Sequence, residues 1–196
     1  LTKNLPIASG IGGGSADAAA TLHALAELWG TSPSAEDLIG MAEELGADVP
    51  VCVASAPAFM SGIGETLSPA PALPDCWLVL VNPNEAVSTP EVFAKRHRDF
   101  SSAPAFTTLP KSAEELASVL NSSRNDLTDA ASQVAPIVGN VLAALEATKS
   151  QLLTRLSGSG ATCFALYETK EAAETAAKDL QNSHPEWWIQ SAALRS

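Results

Sequence analysis

The sequence predicts an α+β protein in two parts, the second built on an antiparallel sheet with helices packed on it. Three observations carry that expectation. Four glycines between positions 10 and 14 stand directly ahead of a strong helix-forming run. Pro69, Pro71 and Pro74 punctuate a connection, residues 68–75, that separates two patterned regions. Beyond Pro74 the pattern reads strand, helices, strand, helix, strand.

With 196 residues the chain has enough material for a stable core. Its formal charge of −11 argues against nucleic acid or an anionic membrane as a partner, because both call for basic patches. A small soluble ligand is the remaining class, and an anionic one must be met by local donors such as backbone N–H groups, Lys3 or a cation. No apolar run approaches transmembrane length. Cys52, Cys76 and Cys163 are odd in number, widely spaced and set in apolar runs read as strands, so buried free thiols in a reducing compartment are expected. The chain begins with Leu1 and enters the glycine stretch at once, which reads as a partial sequence whose N-terminal segment lies upstream.

The first element, residues 6–20, joins the glycines to Ser15 as a helix N-cap and to Asp17 as an acidic residue in the first turn. Glycines bury no side chain and are costly to order, but they permit positive φ and close approach of a ligand. A glycine loop opening a helix offers free N–H groups and the positive end of the macrodipole, which is how proteins hold phosphate. A structural turn is the alternative. The stretch has neither the Gly-Lys-Ser/Thr ending of a Walker A loop nor the Rossmann spacing. The helix that follows, 15–29, carries Leu22, Leu25, Leu28 and Trp29 on one face and stops at Gly30.

Ser34 and Asp37 form a capping-box pattern that opens a second helix running to Leu45. Gly46 suits an αL C-cap, Pro50 bars continuation, and Val51-Cys52-Val53 reads as a short buried strand. Asp48 is thereby placed at a helix–strand junction, either as a turn aspartate bonding its own backbone or as a general base or metal-proximal carboxylate. Residues 58–67 read as a hairpin, and 76–81 as a central strand stopped by Asn82-Pro83. Thr89 is read as the cap of a helix with Pro90 at its first position. Residues 96–108 form a polar loop, and helices are expected over 111–120, 125–131 and 134–149, with Asn125 or Asp126 as a cap. Gly158-Ser159-Gly160 is a hairpin turn or a ligand loop leading into a strand, followed by a helix over 169–180 and a strand over 187–194. These last elements suggest a sheet covered on one face, as in the ferredoxin type.

Pro6-x-x-x-Gly10-Ile11-Gly12-Gly13-Gly14-Ser15-Ala16 resembles the phosphate loop of the GHMP small-molecule kinases, roughly Pro-x-x-x-Gly-Leu-Gly-Ser-Ser-Ala, with Gly13 and Gly14 in place of the two serines. Leu-Gly-Ala-Asp-Val-Pro-Val at 45–51 is similar to a second hallmark of that family, and Leu-Ser-Gly-Ser-Gly-Ala at 156–161 to its third motif. Thr89-Pro90-x-Val92-Phe93 and Asn125-Asp126-Leu127 are similar to further family segments. The resemblance implies the two-domain GHMP kinase fold: a partial N-terminal ATP-binding domain of the ribosomal-protein type over 1–68 and a ferredoxin-like C-terminal α/β sandwich over 75–196. It implies ATP and Mg²⁺ as cofactors and a small alcohol as substrate, in a bacterial cytoplasm or, for a plant or alga, the plastid stroma. A homodimer is left open. By the resemblance Pro6, Ser9, Gly10, Gly12, Gly13, Gly14, Ser15 and Ala16 hold the ATP phosphates, with Ser15 reaching Mg²⁺. Asp48 is the catalytic base, and Lys3, Thr89, Gly158, Ser159 and Gly160 bind substrate.

Overall fold

The computed structural model describes residues 2–7, 9–62, 64, 66–97, 99–102 and 109–194. Ala8 of the glycine stretch, Ile63 and Glu65 of the expected hairpin, and 98 and 103–108 of the polar loop lie outside them. Two compact units result, Gly12–Ala72 and Leu1–Ile11 with Leu73–Ser196. The division falls inside the proline-rich connection, and residues 2–11 belong with the larger unit.

The smaller unit contains helices α1 (Gly13–Leu28), α2 (Ala35–Leu45) and α3 (Val49–Ala54) and a hairpin of strands β1 (Ala58–Ser61) and β2 (Thr66–Pro69). The hairpin is antiparallel, with Ala58 opposite Pro69 and Ser61 opposite Thr66. Helix α1 starts two residues earlier than expected. Its N-cap is Gly12, left-handed at φ 67°, with no side-chain cap, so Ser15 lies inside the first turn and Asp17 beyond it. The reason is that a glycine turns the chain into the helix by backbone conformation alone, which removes the need for a hydroxyl cap. The buried face also differs from the expected one: Ala18, Ala19 and Leu22 pack on Ala42 and on Val49, Cys52 and Val53, whereas Leu28 and Trp29 are 75% and 67% exposed.

Helix α2 has the anticipated capping box: the Asp37 N–H donates to Ser34 Oγ and the Ser34 N–H to the Asp37 carboxylate, each at 3.1 Å. Gly46 ends it at φ 157°, ψ 154°, not in the αL conformation. The expected strand at 51–53 is instead helix α3. Pro50 sits in its first turn, where the missing N–H would be unpaired in any case, and a three-residue apolar run does not separate strand from helix. Cys52 is therefore a half-buried helical residue.

The larger unit contains β3 (Trp77–Asn82), α4 (Thr89–Lys95), α5 (Ala113–Asn121), α6 (Thr128–Val134), α7 (Ile137–Glu146), β4 (Leu153–Leu156), β5 (Cys163–Tyr167), α8 (Lys170–Ser183) and β6 (Trp188–Ala193). The strands form an antiparallel sheet in the order β4-β5-β3-β6, with Val81 opposite Cys163 and Ile189. The βαββαβ succession in this order is the ferredoxin arrangement. Strand β4 was not expected; its four residues are too short for a periodic signal. The two helices expected over 125–131 and 134–149 are both present but begin three residues later, at Thr128 and Ile137, and the break between them falls at Ala135-Pro136, where proline serves as the N-cap of α7.

Strand alternation sends Val79, Val81, Cys163, Ala165 and Tyr167 to one face, where they meet Val92, Val138, Val141, Leu145 and Leu180 from α4, α7 and α8. Cys76, Leu78, Leu153 and Leu166 face the other way and meet Ala113, Leu116 and Ala117 of α5. The sheet is thus covered on both faces, not one. The run from Cys76 to Val81, apolar at every position, follows from that cover. Burial pushes the Cys163 thiol up to about 12, and it raises those of Cys76 and Cys52, the latter with help from the Asp48 charge. No helix among the described residues is long and apolar enough to cross a membrane.

Candidate active site

In the smaller unit the chemistry-bearing groups sit at two helix starts. The first intrahelical bond of α1 runs from the Ala16 N–H to the Gly12 carbonyl at 2.9 Å, so the N–H groups of Gly13, Gly14 and Ser15 have no intrahelical acceptor. They stand at the positive end of a 16-residue helix, an anion-binding arrangement. Gly14 has nothing within 4 Å of where a Cβ would stand, which leaves room for a ligand to approach the backbone. Asp48 occupies the N-cap position of α3 and is exposed, with no side-chain bond to that helix. The turn-aspartate alternative thus lacks its defining bond, and the carboxylate is open to solvent. Helices α1 and α3 pack through Ala19 and Val49, the residue next to Asp48.

In the larger unit, two glycine loops are pressed together. The Ser157 hydroxyl donates to the Gly10 carbonyl at 2.8 Å, and the Thr162 N–H donates to the carbonyl of buried Ser9 at 3.2 Å. Gly10 is left-handed at φ 74°, and a Cβ on it would lie 2.6 Å from the Gly160 carbonyl oxygen and 2.9 Å from that of Ser157. Only glycine fits there. The loop is braced from below by Asn82, whose Nδ2 donates to the buried Thr162 hydroxyl at 2.9 Å.

Thr89 is not the cap of α4. Ser88 is, accepting from the Glu91 N–H, and Thr89 and Pro90 occupy the first two helical positions. Relieved of capping, the Thr89 hydroxyl meets the Ser159 hydroxyl at 2.7 Å. Ser9, Gly10, Thr89, Gly158, Ser159 and Gly160 are therefore brought together within one unit. Pro6 is half-buried and Lys3 is exposed. Among the described residues no group of three His, Cys, Asp or Glu could hold a metal ion.

The cap expected at Asn125 or Asp126 is not there: Leu127 is the N-cap of α6, with no side-chain bond. Three residues of this cluster escaped sequence reasoning. Asn82 read only as a strand stop, and Ser157 and Thr162 as flanks of a glycine turn. Each acts on a partner distant in sequence, up to 147 residues for Ser157 and Gly10, and no local pattern signals that.

The chain belongs to the GHMP kinase family, a class of small-molecule kinases, as two family matches and a relative 55% identical show. Residues 1–56 match the family described as "GHMP kinases N terminal domain" and 103–186 match "GHMP kinases C terminal". A relative from Paramagnetospirillum magneticum, "4-diphosphocytidyl-2-C-methyl-D-erythritol kinase", is 55% identical over 196 residues, covering 100% of this chain and 69% of that protein. A protein of the same name from Rhodospirillum rubrum is 47% identical, covering 99% of this chain and 64% of its own length. The chain thus spans about two thirds of the curated relatives it matches. Among solved structures, a 4-(cytidine 5'-diphospho)-2C-methyl-D-erythritol kinase superposes with a TM-score of 0.73 at 30% identity, over 96% of this chain and 68% of that one. A homoserine kinase from Cytophaga hutchinsonii reaches a TM-score of 0.74 at 18% identity, over 98% and 67%, and shows the shared fold.

Proposed function

We propose that this chain forms part of an ATP-dependent kinase that phosphorylates the 2-hydroxyl of 4-(cytidine 5'-diphospho)-2-C-methyl-D-erythritol in isoprenoid-precursor synthesis. The observation that carries the reading is the 55% identity to a kinase of that name, in a chain that keeps Asp48 together with the open helix start at Gly13–Ser15. In this reading the free N–H groups of α1 receive the ATP phosphates. Asp48 accepts the proton of the 2-hydroxyl as its oxygen bonds to the γ-phosphorus, and the bond from that phosphorus to the β,γ-bridging oxygen breaks to release ADP. Thr89 and the 158–160 loop contact the substrate, with Lys3 as a further cationic contact. Mg²⁺ suits the oxygen donors present: the Ser15 hydroxyl would hold it together with ATP oxygens and water, a mode of binding that needs no cluster of acidic ligands. When bound, it neutralises charge on the transferred phosphoryl group.

The test is ADP release by the protein carrying this chain, with the diphosphocytidyl substrate compared with homoserine, mevalonate and phosphomevalonate. Activity confined to the first supports the assignment; preference for another alcohol replaces it. Asp48→Asn should leave ATP affinity within a few-fold and lower kcat by about 10²–10⁴. Normal turnover in that variant would remove Asp48 from the mechanism.

A further inference from the structure

The 157–162 loop has a third brace, and it comes from a residue given no part in the site above. Asn125, half-buried in the segment before α6, donates from Nδ2 to the Leu156 carbonyl at 2.9 Å and to the Gly158 carbonyl at 2.7 Å. Its Oδ1 accepts from the Leu127 N–H at 2.9 Å, and its own carbonyl accepts from Thr128 through both the N–H, at 3.1 Å, and the hydroxyl, at 2.9 Å. Three neighbours fix the amide orientation, because two carbonyls require the NH₂ group and an N–H requires the oxygen. Both amide hydrogens are used, one on the last residue of β4 and one on the loop itself.

The span that Asn125 holds is conformationally loose by composition. Gly158 and Gly160 both take positive φ, 54° and 94°, and Ser159 between them carries the hydroxyl that meets Thr89. Hydrogen bonds from the loop to Ser9 and Gly10 fix its far end, at Thr162, and its base, at Ser157. Gly158, next to Ser159, is held by the Asn125 side chain. We infer that Asn125 is a positioning residue of the kinase site: it sets the Gly158 carbonyl so that the Ser159 hydroxyl stays on Thr89, and it acts through that pair without touching substrate. The inference rests on the kinase reading for its catalytic consequence and on geometry alone for its effect on the loop.

Asn125→Asp is nearly isosteric but replaces two donors with a carboxylate oxygen facing two carbonyls. Asn125→Ala is the milder change; the residue also lines a cavity of about 520 Å³ with Arg124, Asp126 and Arg155, from which water can reach the freed carbonyls. In the full protein, Asn125→Asp should lower kcat/KM roughly tenfold to a hundredfold, the range expected when a contact group is misplaced by up to about 1 Å. Asn125→Ala should lower it less. Because the effect passes through Ser159, the Asn125→Asp, Ser159→Ala double variant should fall no further than the worse single variant. Amide exchange at 158–160 should speed up in Asn125→Asp while exchange in α7 and β5 stays as in the parent, which a general loss of stability would not produce.

Parent-like kcat/KM in both single variants would overturn the inference, as would losses that multiply in the double variant. If the parent protein transfers no phosphoryl group, the kinase reading fails by itself. The exchange comparison still decides whether Asn125 holds the loop, and unchanged exchange at 158–160 would reject that.

Discussion

The two units place their chemistry by different means. In the larger unit the polar groups that hold the glycine loop, Ser9, Asn82 and Thr162, are 5%, 2% and 0% exposed and sit beside a core that includes Val81, Leu156, Ala161 and Cys163. Buried polar groups must be paired, so the packing that excludes water also enforces the loop's bonds. In the smaller unit the buried apolar side chains among the described residues are Ala19, Ala42, Val49 and Pro50, and both Asp48 and the start of α1 are open. There, position comes from local backbone chemistry: a left-handed glycine at 12, a capping box at Ser34 and Asp37, and a proline in the first turn of α3. A packed scaffold is costly to truncate and costly to crowd; one set by backbone chemistry depends on its caps and turns instead.

Core truncation should separate the units most. Leu145 is 0% exposed between α7 and the sheet, and Leu145→Ala should cost about 2–5 kcal/mol through lost burial and the cavity left behind. Leu28→Ala, at a residue 75% exposed, should cost less than about 0.5 kcal/mol. Buried Trp187 belongs to the larger unit and exposed Trp29 to the smaller, so denaturant melts of single-tryptophan variants report each unit separately. Equal costs for the two truncations would erase the contrast.

The glycines come next. Gly10→Ala meets two backbone carbonyl oxygens that cannot rotate away, in addition to the left-handed strain, and should destabilise by more than about 2 kcal/mol. Gly12→Ala carries only the strain, about 1–2 kcal/mol, since nothing lies within 4 Å of its Cβ position. Thermal melts of the two variants give the order. A Gly12 variant as unstable as the Gly10 variant would mean that the backbone at 12 is as closely packed as it is at 10.

That ordering marks what sequence could and could not reveal. The glycine stretch, the capping box, the hairpin, β3, β5 and α8 were legible because each is a local pattern with a local physical cause. The strand expected at Val51–Val53 failed because a short apolar run is compatible with either secondary structure, and tertiary packing on Ala19 and Ala42 decided it. Thr89 was misplaced by one residue because Ser88 and Thr89 are equally good caps by type. Whether Gly10 or Gly12 is sterically obligatory depends on the approach of residues 157–160, which no window of sequence contains.

The smallest effect expected is electrostatic, and it sets an acid of one unit against an acid of the other. Arg124 Nε donates to the Asp126 carboxylate at 2.7 Å, and Ser101 donates through its N–H at 2.6 Å and its hydroxyl at 2.8 Å; together they hold that carboxyl down to about 2, Arg124 contributing most. Asp37 in the smaller unit is also lowered, by the Ser34 hydroxyl and then the Ser34 N–H, with no guanidinium beside it. A folded-state value below the unfolded one stabilises fully above the unfolded carboxylate range, about pH 4, and the contribution disappears as pH falls through the folded value. Asp126→Asn should therefore lower the urea midpoint of the larger unit at pH 7, with the gap to the parent closing between about pH 4 and pH 2. Salt should narrow the Asp126 gap, since it screens an ion pair whose Arg124 side is open to solvent, and should leave the Asp37→Asn gap less changed, since a cap bond pairs no full charges. A gap of the same size at pH 2 and pH 7 would mean that Asp126 acts through its shape and hydrogen bonds alone. In that case the two acids would differ in nothing but the elements they join.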